Sequence, residues 1–124
     1  MSEAEAREKI KTIAQDLYPW AKEEVARAET FGGFEAKDIW MRGIRNGLDH
    51  FAYAVSFYYS GDYQNSMTRL DDAKRQFLLA AHEAWTRCAS LLCRKLDDIL
   101  SSPAKSGAVD LAYVKLKSAT HPFS

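Results

Sequence analysis

A guanidinium, an amide, a carboxylate and an imidazole fall within six consecutive residues, Arg45-Asn46-Gly47-Leu48-Asp49-His50. Such groups can hold a phosphate and move a proton. Displacement at a phosphate without a metal needs one group to take the nucleophile's proton, one to neutralise the phosphorane and one to protonate the leaving oxygen. An imidazole and a guanidinium supply those functions, which makes Arg45, Asn46 and His50 the candidate catalytic residues. Arg42, Asp49 and Tyr53 are the candidate substrate contacts. Arg45 and His50 are about 140° apart around a helix, so one helix aims them poorly at one phosphate. Two helices related by a two-fold axis can bring both pairs into one groove, so a homodimer is expected. Asn46, one turn before His50, can hold the orientation of the imidazole.

Other chemistries lack their residues. His82-Glu83 begins like a zinc-protease motif, but residue 86 is Thr86 and the second histidine is missing. A di-iron bundle needs Glu-x-x-His, and the residue three before His82 is Leu79. Thr30-Phe31-Gly32-Gly33-Phe34 has no strand before it and no Lys-Ser/Thr after it, which argues against a phosphate-cradling loop. No Gly-x-Ser-x-Gly elbow is present. No metal and no cofactor are expected. Cys88 and Cys93 sit on different faces of one helical pattern and are read as free thiols of a reducing compartment.

The candidate residues ride on a helical pattern from about Glu35 to Tyr59. Trp40, Ile44, Leu48, Phe51, Val55 and Tyr58 recur in steps of three and four and are predicted to form its buried stripe. Asp38, Arg42, Asp49 and Tyr53 then lie nearly opposite, with Arg45 and His50 on the two edges of the polar face. Before it, Ser2 and Glu5 make a capping box, and Ile10, Ile13, Leu17, Trp20 and Val25 continue the buried face of a first helix. Pro19 predicts a kink, or two shorter helices meeting there. Thr30 to Phe34 is predicted as a turn whose two aromatics fold back onto the core. Ser60-Gly61-Asp62 is a second turn, and from Tyr63 a helical pattern without Gly or Pro runs to about Leu100, roughly 55 Å at 1.5 Å per residue. A helix of that length either bends or packs its far end on a partner. Val109 to Lys117 is predicted as a short fourth helix, and residues 118–124 as a frayed tail.

The expected fold is all-α: one antiparallel up-down bundle of about four main helices over residues 1–117. At 124 residues there is room for one domain with a real core. Lys plus Arg equals Asp plus Glu, 17 of each, so no whole-molecule field draws the chain to nucleic acid or to an anionic membrane. The N-terminus lacks the apolar run of a signal peptide, and no stretch approaches 18 apolar residues. The expectation is a cytoplasmic protein with no membrane partner.

The Arg45-x4-His50 spacing, with Asn46 directly after the arginine and Phe51-Ala52-Tyr53 just beyond the histidine, resembles the signature of the HEPN family of helical-bundle nucleases. The small all-α pattern and the Gly61-Asp62-Tyr63 turn into a long helix are similar to it too. The resemblance implies a HEPN-like bundle acting as a metal-independent endoribonuclease, with its site at a two-fold dimer interface, often as a toxin restrained by an antitoxin or as a defence component. Three other readings compete. With eight arginines and three histidines, short motifs of this kind arise by chance, and Arg75-x6-His82 fits a looser form. The stretch can also be a solvated face with an Arg45–Asp49 ion pair. Lastly, the chain can be a non-catalytic helical adaptor, or an RNA- or nucleotide-binding bundle using Lys37, Arg42 and Arg45 as phosphate contacts.

Overall fold

The structure, a computed structural model, describes residues 2–101. Within them lie three helical rods and no strand. The first, α1, covers residues 3–32: Glu3–Thr12, a π turn Ile13–Leu17, and Tyr18–Gly32. The second, α2, covers residues 37–59: Lys37–Ile39, a π turn Trp40–Ile44, and Arg45–Tyr59. The third, α3, is the unbroken Tyr63–Leu100. The expected helix from Val109 to Lys117 and the tail 118–124 lie outside the described residues.

Local chemistry explains the ends. Ser2 caps α1 by accepting from the Glu5 N–H at 3.1 Å. Gly33, in the left-handed conformation at φ 66°, ends it. Asp62 accepts from the Asn65 N–H at 3.1 Å and starts α3. Pro19 stands in the first turn of Tyr18–Gly32, where two shorter α-helices meet through the π turn, in line with the break expected there. In that π turn the Tyr18 N–H reaches the Ile13 carbonyl, five residues back. The extra residue also rotates the second half of the helix. Trp20, expected in the buried stripe, is 43% exposed, and Ala21 is buried in its place.

Long-range contacts give the packing. Arg7 donates to the Tyr58 hydroxyl at 3.0 Å and Trp40 to Glu29 at 2.7 Å, so α1 and α2 run in opposite directions. Ser66, fully buried, donates to the Ala54 carbonyl at 2.8 Å, while Gly43 sits against Ala80 further along, so α2 and α3 also run oppositely. Trp85 donating to Glu24 at 2.7 Å and an ion pair between Lys9 and Asp71 set α1 parallel to α3.

The seam between α2 and α3 is built from small residues. A Cβ on Gly47 would lie 2.5 Å from the Phe77 ring, and one on Gly43 2.7 Å from the Ala80 methyl. The side of α2 pressed on α3 is therefore Gly43, Gly47 and Ala54, and the buried stripe is displaced from the expected one. Leu48, placed in that stripe from sequence, is 36% exposed, while Ile44 is buried and Trp40, Phe51, Val55 and Tyr58 are half-buried. The core centres on Phe77 and Leu70 of α3, Val25 and Ile13 of α1 and Ile39 of α2. Phe34 packs against it, whereas Phe31, expected to fold in, is exposed beside Trp85. At about 57 Å, α3 outruns its buried part: Cys88 is its last buried residue, and none of residues 89–101 is buried.

Candidate functional site

The displaced stripe changes what α2 offers chemically. His50 lies three residues after Gly47, so it sits on the flank of the α3 seam and is half-buried. Its Nδ1 is 3.1 Å from Nη1 of Arg69 on α3. A guanidinium has donors only, so Nδ1 accepts, and the ring in this contact is the neutral tautomer with its proton on Nε2. The same Arg69 guanidinium stands 5.1 Å from the centre of the Tyr53 ring, a cation–π contact. Asn46, one turn before His50 and exposed, shares this edge. The group brought together is His50, Tyr53 and Arg69, with Asn46 beside them.

The other candidates lie elsewhere. Arg45, exposed, projects from the opposite edge of α2 and hydrogen-bonds no described residue. No ion pair joins it to Asp49 among the described residues, although the four-residue spacing permits one. Arg42, expected as a substrate contact, pairs with Asp38 at 3.1 Å. Asp38 is the hub of a separate network: Arg87 donates to its two oxygens at 2.7 Å each, and also reaches Glu83 at 3.3 Å. The Arg87 guanidinium beside Asp38 holds that carboxyl well below the usual carboxylate range, and Arg42 adds to the effect; partial desolvation works against both. This network ties the start of α2 to α3 and stands apart from His50.

Sequence reasoning missed Arg69. One signal for it was available: two antiparallel helices joined by a tight turn face each other at positions roughly symmetric about that turn. Reflecting His50 through the Ser60-Gly61-Asp62 turn lands near residues 69 to 72. His82, the competing histidine, is exposed on α3. Among the described residues no group of three or more His, Cys, Asp or Glu side chains is arranged to hold a metal ion, and no helix is long and apolar enough to cross a membrane. Cys88 is buried and Cys93 half-buried, both as free thiols, and burial pushes the Cys88 thiol up.

No protein family, no curated protein and no solved structure matches the chain.

Proposed function

We propose that the chain is a metal-independent endoribonuclease built as a HEPN-like four-helix, up-down bundle, with a composite site between two copies of itself. The His50–Arg69 contact on the flank of α2 carries this reading. A phosphate competes for Arg69 better than a neutral imidazole does, because its hydrogen bonds with a guanidinium are charge-assisted and bidentate. Drawn onto the phosphate, Arg69 neutralises the phosphorane and leaves Nδ1 of His50 free to take the 2′-OH proton. The 2′ oxygen then bonds to phosphorus, the bond from phosphorus to the 5′ oxygen breaks, and the same His50, now an imidazolium, returns the proton to the departing oxygen. Arg45, on the far edge of α2, reaches such a site only from the other copy, which is what a two-fold arrangement supplies. Tyr53, Asn46 and Asp49 border the path of the RNA. A restraining protein partner, as for a toxin, belongs to the same reading.

The test is one digestion of RNA by the full chain in excess chelator, with end groups identified. Cleavage leaving 2′,3′-cyclic phosphate and 5′-hydroxyl ends is expected. His50→Ala and Arg69→Ala should each lower it by about a hundredfold or more, and His82→Ala should leave it unchanged. An equimolar mixture of the Arg45→Ala and His50→Ala variants should recover part of the activity, since a mixed dimer retains one complete site. Rescue of an EDTA-inactivated enzyme by Mg²⁺ would point to other chemistry, and a stable monomer at micromolar concentration would remove the composite site.

A second reading, a non-catalytic helical adaptor, is favoured by one observation. The end of α3 beyond Cys88 carries Leu91, Leu92, Leu96 and Leu100 half-buried and Ile99 40% exposed. Monomeric protein that leaves RNA intact would select it.

A further inference from the structure

α1 and α2 are tied at both ends of their contact and part between them. At one end Glu29 accepts from the Trp40 indole at 2.7 Å and from the Ala36 N–H at 2.9 Å. At the other, Arg7 and Glu3 meet the Tyr58 hydroxyl at 3.0 and 3.3 Å. Between the ties lies an apolar cavity of about 290 Å³, open along one side and lined by Ile13, Ala14, Tyr18, Leu48, Phe51 and Phe77. Its wall on α1 is the π turn, and its floor is the Phe77 ring, itself 1% exposed. This lining gives water almost no hydrogen-bond partner, so covering it with an apolar group is favourable. An apolar cavity of about 150 Å³ holds benzene. This one therefore has room for roughly a dozen heavy atoms.

The rim is cationic. Lys22, one turn beyond Tyr18, sets its Nζ 5.2 Å from the centre of the Tyr18 ring, which lines the cavity. Arg45, one turn before Leu48, is exposed and without a hydrogen-bonded partner among the described residues. The register that pairs residue 29 with 40 and residue 7 with 58 puts Lys22 of α1 and Arg45 of α2 at the same level along the two helices. Of the neighbouring carboxylates, Glu29 is held by Trp40 and Ala36, and Asp49, exposed, forms no ion pair with Arg45 among the described residues.

We propose that this cavity binds a single-chain anionic amphiphile of about ten carbons, its tail against Phe77, Phe51 and Tyr18 and its carboxylate between Lys22 and Arg45. Titration calorimetry of the full chain, with decanoate and decanol below their aggregation limits, tests it. Decanoate is expected to bind about fivefold tighter than decanol at low salt, as one or two partly screened ion pairs allow. Lys22→Glu should erase that preference while leaving decanol binding in place. Ala14→Trp, at an exposed position on the opening, should weaken both by about tenfold or more with circular dichroism unchanged. Affinity along a chain-length series should level off near a dozen heavy atoms. Absence of binding by both ligands would overturn the proposal, as would decanoate binding that Ala14→Trp leaves intact. Equal binding of decanoate and decanol would overturn the role of Lys22 and Arg45.

Discussion

Gly47→Ala should destabilise the protein, against the general rule for a glycine inside a helix. In an open helix the change would stabilise by about 1 kcal/mol, because alanine loses less backbone entropy. Here the new methyl would stand 2.5, 2.7 and 2.9 Å from three atoms of the Phe77 ring. That ring has little room to retreat, being 1% exposed and packed on Tyr18 with centroids 5.4 Å apart. Overpacking a tight core costs about 1–3 kcal/mol, and with three contacts this short the upper part of that range applies. Subtracting the helix gain leaves a net loss of about 1–2 kcal/mol. Urea unfolding followed by circular dichroism would read this as a midpoint lower by about 0.5–1 M, for a slope of about 2 kcal/mol/M. The cause can be separated from the size of the effect by adding Phe77→Leu. If the ring is the obstacle, the double variant should be more stable than the sum of the single changes by about 1 kcal/mol. A Gly47→Ala protein as stable as the wild type, or more so, would refute the close approach of α2 to α3 on which the position of His50 depends.

Three further outcomes are expected. Because Arg87 holds Asp38 below the ordinary carboxylate range, the unfolded chain takes up that proton first as the pH falls. The pair's stabilisation is then full above about pH 4 and is lost as the pH drops towards the folded value. The stability gap between wild type and Asp38→Asn should thus hold steady from about pH 7 to 5 and narrow below about 4 in urea titrations across that range. Glu29→Ala leaves the Ala36 N–H and the Trp40 indole without their acceptor in a half-buried place, and should cost about 1–3 kcal/mol in the same assay. With a thiol reagent, Cys93 should react in the native protein, and Cys88, buried and with its thiol pushed up, only on unfolding.

The length and bounds of α3, the Ser2 cap, the Ser60-Gly61-Asp62 turn and the all-α class were legible because they rest on short-range chemistry: capping oxygens, turn residues, and a helical pattern uninterrupted from Tyr63 to Leu100. The facing of α2 was not. An apolar stripe is found by its large side chains, and the side of α2 closest to α3 is Gly43, Gly47 and Ala54, which carry almost none. Counting the aromatic and aliphatic residues alone rotated the predicted stripe toward Leu48 and moved His50 out of the seam. The candidate site suffered in the same way. A spacing along one helix names Arg45, Asn46 and His50 but not the residue across the turn, so Arg69 was invisible, as was the pairing of Arg42 with Asp38.

The π turn in α1 has a further consequence, for how the length of this helix can change. Counting back from Val25 and Ala21 in α-helical steps leads through Tyr18 to Ala14 and Arg7, both exposed; the buried positions are Ile13 and Ala6, one residue earlier. The two halves of α1 are thus written in frames offset by a single residue, and the π turn is the splice between them. Deleting an exposed residue of that turn, Gln15 or Asp16, would turn the splice into ordinary α-helix while both halves kept their inward faces. Anywhere else along the buried stretch the same deletion would swing one half by about 100° and expose its core residues. The helix can shorten by one residue at this point without repacking, and a tolerance for single-residue gaps confined to residues 13–17 is the mark that such a splice leaves on a chain.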